Sequence, residues 1–135
     1  MIIKEIDKND LLPILSTYFS NKYNDYITVK EKHGIKNIPV GYNIFLPTID
    51  LEIYLEVIIK SDDLITPLTS PLSKEEIIEA LNDKFYYSDY EVISIDYIAG
   101  IKLDGYFNNE KREPYFDGVR MTLKEKNKMM TLGGK

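Results

Sequence analysis

Residues Asp50 to Lys60 alternate regularly: Leu51, Ile53, Leu55, Val57 and Ile59 fall on one side, and Asp50, Glu52, Tyr54, Glu56 and Lys60 on the other. A two-residue period is that of a half-buried antiparallel strand, one face in a core and the other in water. Ile58 interrupts the polar side, so that end of the strand is expected to be covered. A breaker-rich stretch follows (Ser61-Asp62-Asp63, Pro67, Pro71) and reads as a turn region. Ser73-Lys74-Glu75-Glu76 then spells a capping box, in which the Ser73 hydroxyl and the Glu76 carboxylate satisfy each other's free backbone N–H groups. The helix predicted from Lys74 to Phe85 buries Ile77, Ile78, Leu81 and Phe85 and turns Glu75, Glu79 and Asp83 outward. A strand from Tyr90 to Ile98 and a hairpin around Asn108-Asn109, closing with Tyr115 to Lys124, complete the second half.

The first half repeats this plan. Placing Asp7 on Ser73 puts Leu15 on Leu81 and Phe19 on Phe85, and a two-residue gap brings Asp25-Tyr26 onto Asp89-Tyr90. This is the pattern of a duplicated helix-strand unit, or of two ordinary amphipathic pairs. Pro13 fits only the first turn of a helix, so the first helix is expected to start nearer Asp10 than Asp7. His33-Gly34 and Pro39-Val40-Gly41 read as turns flanking a short strand near Tyr42 to Leu46. The expected fold is α+β in two layers, an antiparallel sheet of about five strands with two helices on one face. One domain over residues 1–123 is expected, with a frayed tail over 124–135.

Charge is sorted along the chain. Residues 49–104 hold thirteen Asp/Glu against four Lys, a net of −9, whereas residues 1–48 come to +1 and 105–135 to +3. A concentrated acidic face repels nucleic acid and attracts basic grooves. The surface expected to meet a partner comprises Asp50, Glu52, Glu56, Glu75, Glu79, Asp83, Asp89 and Glu91, with Tyr86 and Tyr87 beside them. The expected partner is a basic, nucleic-acid-handling protein such as a defence nuclease, and the chain itself is expected to be a monomer or homodimer.

No complete catalytic set accompanies this charge. The chain has no Cys, which removes thiolate zinc sites, thiol nucleophiles and disulfides and fits a reducing, cytoplasmic setting. No apolar run approaches the ~18 residues of a membrane span. His33 is the one histidine and reads as an exposed loop residue. Asp62-Asp63 lacks the alternating oxygens, central Gly and closing Glu of an EF-hand, and the glycines form no phosphate-binding loop, so no metal or cofactor is expected. Six tyrosines (Tyr86, Tyr87, Tyr90, Tyr97, Tyr106, Tyr115) crowd one stretch, where strand packing explains most of them. Tyr106 and Phe107 with Lys111, Arg112, Arg120 and Lys124 nevertheless offer an alternative, a hairpin that binds single-stranded nucleic acid by stacking and charge. A third alternative is a small-ligand cleft between helices and sheet, with His33 or a Tyr pair as its polar centre.

Ile53-Tyr54-Leu55, Ser73-Lys74-Glu75-Glu76-Ile77 and Asp89-Tyr90-Glu91 together resemble the strand, Glu-rich helix and Asp-Tyr-Glu run of ArdA-type antirestriction proteins, over about forty residues. The Asn-x-Gly and Gly-x-Trp elements of that family have no counterpart here. The small size and acidity are also similar to phage anti-CRISPR proteins. What these resemblances imply is a non-enzymatic inhibitor from a mobile element, one that occupies the nucleic-acid groove of a defence enzyme.

Overall fold

The computed structural model describes residues 1–61, 64–104 and 111–126, and the side chains of these except 58–61, 64–68, 103–104 and 111. Along the chain run β1 (Ile2–Asp7), α1 (Lys8–Tyr23), β2 (Ile27–Gly41), β3 (Ile44–Ser61), β4 (Leu64–Pro71), α2 (Lys74–Lys84), β5 (Tyr90–Asp104) and β6 (Lys111–Glu125). The class is α+β, as expected, but the strands form two antiparallel three-stranded sheets, β1-β6-β5 and β2-β3-β4, in place of one sheet of about five. The division follows from where the third strands go. Each long hairpin receives its third strand from a segment that precedes a helix: β4 joins β3, and β1 crosses the molecule to join β6. The sheets meet with β2 beside β6 and β3 beside β5, and no backbone ladder joins them among the described residues.

The order β-α-β-β thus occurs twice, and corresponding helix positions do corresponding work. Asp7 caps α1 by accepting from the Asn9 N–H at 2.7 Å, while Ser73 caps α2 within a complete capping box. Leu11 and Leu15 of α1, like Ile77 and Leu81 of α2, are fully buried. Each such side chain contributes roughly 2 kcal/mol by leaving water. The parallel ends at the aromatics. Phe19 is fully buried, whereas Phe85 stands at the C-cap of α2 with 38% exposure, and Ala80 completes the buried stripe in its stead.

Several local expectations are corrected. Helix α1 starts at Lys8, not near Asp10, because Asp7 supplies the cap; Pro13 then lies in the second turn, where it forfeits one backbone bond. His33-Gly34 and Pro39-Val40-Gly41 are not turns: β2 runs through both, paired with β3 from Ile27↔Val57 to Gly41↔Ile44. The reversal is Tyr42-Asn43, with Asn43 at φ 59°, a left-handed conformation that asparagine tolerates. A register shift between Pro39 and Gly41 absorbs the proline. The breaker-rich stretch after Ser61 forms β4, an edge strand, where Pro67 and Pro71 need donate to no second neighbour. Strand β6 continues through Glu125, and Lys126 donates from its backbone to the Asp89 carbonyl and from Nζ to that of Tyr86. Residues 127–135, the Asp62-Asp63 pair and the Asn108-Asn109 turn lie outside the described residues.

Each helix clamps the strand after it. Ser16 Oγ accepts from the Val29 N–H at 2.8 Å, and Ser20 Oγ exchanges two bonds with the Ile27 backbone. In the second half the amide of Asn82 brackets Val92, accepting from its N–H at 2.7 Å and donating to its carbonyl at 3.0 Å. Ser16 and Asn82 occupy the same place in the repeat alignment, each next to a buried leucine. At the β1–β6 crossing Gly118 adopts φ +144°, and a Cβ there would come within 2.0 Å of the Ile6 carbonyl oxygen. Only glycine permits that approach.

Candidate functional site

The acidic block of the sequence does not fold into one acidic face. On β3 the alternation is as read: Ile53 and Leu55 enter the core, and Asp50, Glu52 and Glu56 take the opposite, outer face. The register with β2 sets Lys30, Lys32 and Lys36 among them on that same face, Thr28 facing Glu56, Lys30 facing Tyr54, and Lys32 facing Glu52. Lys30 Nζ lies 2.5 Å from Glu56 Oε2, and that contact raises the Lys30 pKa. Among the described side chains of this face, three lysines stand against three carboxylates.

The helix carboxylates belong to the other side of the sheets. Glu79 is drawn into a clasp between α2 and α1, accepting from Tyr18 Oη at 2.6 Å and from Lys22 Nζ at 2.7 Å. Those hydrogen bonds hold the Glu79 carboxyl below its ordinary range and push the Tyr18 hydroxyl up to about 12. Glu75, Asp83, Asp89 and Glu91 are exposed and make no ion pair among the described residues. Tyr86 and Tyr87 are exposed beyond α2, stacked edge to face at 5.2 Å, with Lys126 over the Tyr86 ring.

The alternative nucleic-acid residues are brought together only in part. Arg120 donates from Nε and Nη2 to Glu5 Oε2 at 3.1 and 2.8 Å, and Lys124 stands opposite Glu91 in the ladder. Arg112 is exposed, while Phe116 is buried and packs edge to face on Tyr97. Burial raises the Tyr97 pKa, with nearby Glu75 adding to the effect. Tyr106, Phe107 and the Lys111 side chain lie outside the described residues. His33 sits in a strand, its Nε2 3.7 Å from Glu31 Oε2, whose other oxygen meets Lys8 Nζ at 3.2 Å. The groove between the helices, about 230 Å³ and bordered by Pro13, Tyr18, Asp83 and Lys84, does not include His33.

The surface that sequence reasoning missed is the far half of the β2–β3 hairpin. Strand β4 pairs with β3 only from Tyr54 onward, and Leu72 beyond it donates to the Ile53 carbonyl, so from His33 to Leu51 the hairpin continues as a two-stranded arm. Its tip, residues 37–48, carries no charged residue. Ile38, Val40, Ile44, Phe45 and Leu46 are all exposed there, as is Ile35 just before it; Phe45 is at 60%, and Tyr42 at the turn reaches 93%. Shared between the two faces of the arm, side chains of this size leave on each face an apolar patch of about a few hundred Å², the size that on a monomer is often functional. Alternation divides them. Ile35, Pro39, Phe45, Pro47 and Ile49 continue the inner, core-facing side of the sheet, while Ile38, Ile44 and Leu46 share the outer side with Lys32, Lys36, Asp50 and Glu52. The charge-free run from Asn37 to Thr48 was the available sequence signal.

Comparison with protein-family models, with curated proteins and with solved structures finds no match to the chain.

Proposed function

We propose that this chain is a non-catalytic protein-binding module that docks its partner on the inner face and tip of the β2–β3 arm. The observation that carries the reading is the charge-free tip with Tyr42 and Phe45 held out from the core. An apolar surface of this extent is unfavourable in water, and aromatic anchors are the side chains that dominate protein interfaces. The inner face suits a partner groove because it is continuous with the rigid inner side of the sheet at Ile53 and Val29.

This keeps the class expected from the sequence, a binding protein, and moves its contact from carboxylates to apolar side chains. A nucleic-acid mimic needs carboxylates free of neighbouring cations, and on the outer face of β3 the lysines of β2 intervene. The exposed carboxylates Glu75, Asp83 and Asp89 remain candidates for a rim that steers a basic partner without anchoring it. A photoreactive residue placed in turn at Phe45 and at Asp83, in cells carrying the natural partner, tests the assignment. The expected result is a covalent adduct with another protein from Phe45; adducts from Asp83 alone would return the contact to the acidic helix.

A further inference from the structure

The outer face of the same arm has its own chemistry, and we infer that it is the contact through which two copies of this chain pair, back to back. This rests on the docking reading only in sharing the arm, since it uses the opposite face. A two-stranded ribbon is marginally stable in water, and beyond the His33–Leu51 pair this one has no third strand beside it among the described residues. Pairing by strand addition at its edges is disfavoured, because Lys32, Lys36, Pro39 and Pro47 guard them. Face-to-face packing through side chains is left.

The register makes this face complementary to itself. Its lysines, Lys32 and Lys36, are all on β2; its carboxylates, Asp50 and Glu52, are all on β3; none of the four makes an ion pair among the described residues. A two-fold axis running along the arm between two such faces lays β2 of each copy over β3 of the other at equal height. Because Lys32 is level with Glu52, Gly34 with Asp50 and Ile38 with Leu46, that rotation sets lysine over carboxylate near the base and Ile38 over Leu46 near the tip. The other face-to-face arrangement, with the arms antiparallel, would instead lay lysines over the apolar tip. Copies of a chain with net charge −5 repel one another, but this contact involves a face whose described lysines and carboxylates balance, held away from the acidic helix. The paired arms would present both inner faces, with their Phe45 side chains, outward to partners.

Sedimentation equilibrium on the whole chain tests the pairing. At about 100 µM the wild type is expected to approach twice its 15.7 kDa mass and to fall toward the monomer on dilution, as suits a contact smaller than the ~800 Å² per partner of a standard interface. The double variant Lys32→Glu, Lys36→Glu makes the face wholly acidic, and Asp50→Lys, Glu52→Lys makes it wholly basic. Each alone should lose at least tenfold in self-affinity, and the two mixed should form a heterodimer tighter than the wild-type pair at low salt. Circular dichroism of each variant checks that the body remains folded. A wild type that stays monomeric, or a dimer indifferent to both double variants, overturns the inference. A photoreactive residue at Leu46 separates it from partner docking: self-adducts support the pairing, whereas adducts with a different protein assign the outer face to that partner and reject the second copy. Neither result at Leu46 alters what the probe at Phe45 reports.

Discussion

The hairpins β2–β3 and β5–β6 each follow a capped helix, each carry a third strand along only part of their length, and each extend beyond it as a two-stranded arm. They differ in what happens to their aromatics. In β5–β6 the ring of Phe116 is 1% exposed and packed on Tyr97, and two of the hairpin's cations are engaged: Arg120 grips Glu5, and Lys102 lies over the Tyr115 ring. In β2–β3 Phe45 and Tyr42 face water, and Lys32 and Lys36 make no ion pair among the described residues. Shared topology therefore fixes the length of an arm and leaves its use to the side chains. The second arm completes the core, and the first has surface left over for another molecule.

The most severe test of that contrast compares the two phenylalanines. Phe116→Ala removes a buried ring and should lower stability by about 3–5 kcal/mol, whereas Phe45→Ala should stay within about 0.5 kcal/mol, both read from urea denaturation. Comparable losses would mean that the first arm also belongs to the core.

Glycines sharpen the comparison at the backbone. Gly118→Ala places a methyl group against the immovable Ile6 carbonyl at positive φ, so the β1–β6 crossing must open, with an expected loss of about 3 kcal/mol. Gly34→Ala, in the first arm, meets nothing within 4 Å and should be close to neutral. Amide hydrogen exchange at Ile6 and Val119 would follow the opening directly.

The helix clamps should give an intermediate effect. Asn82→Ala strands the Val92 N–H and carbonyl and is expected to remove about 1–2 kcal/mol. Ser16→Ala, at the equivalent place, deprives only the Val29 N–H and should lose about half as much. Denaturation midpoints of the two variants check the ratio.

Smallest is the Tyr18–Glu79–Lys22 clasp, which is solvent-exposed and therefore screened. The folded pKa of Glu79 is depressed, so its contribution is present above the unfolded value of about 4.3 and is lost as pH falls through the folded value. Tyr18, raised to about 12, acts in the opposite sense: its contribution holds below the unfolded value near 10 and is lost as pH rises toward 12. Glu79→Gln should shift the thermal midpoint by about 1 °C at pH 7, and that difference should shrink as acid protonates the carboxylate and vanish once pH is below the depressed folded value. A difference that grows in acid would contradict the clasp.

Helix α2 and the core half of β3 were legible in the sequence because their signals are local: a capping box, a helical stripe, a two-residue alternation. Strand β2 was not, because Gly34, Pro39 and Gly41 punctuate it as turns do. Pairing with β3 overrides those signals, and a register shift takes up Pro39. The acidic block was misleading for a related reason. Charge counted along the chain ignores that Lys30, Lys32 and Lys36 fold back across Asp50, Glu52 and Glu56. The exposure of Phe45 and Leu46 was hidden because alternation reports which side a residue takes, and a long hairpin can outrun the layer that would cover it.

Removing the arm measures the central claim most directly. Replacing residues 34–50 by Asn-Gly joins His33 to its ladder partner Leu51 through a two-residue turn and leaves the core half of the hairpin intact. If the arm serves binding, the shortened chain keeps its thermal midpoint within about 3 °C while self-association and capture of the partner bound by the whole chain disappear. A fall of 10 °C or more, or a shortened chain that still pairs and still captures its partner, would contradict the account.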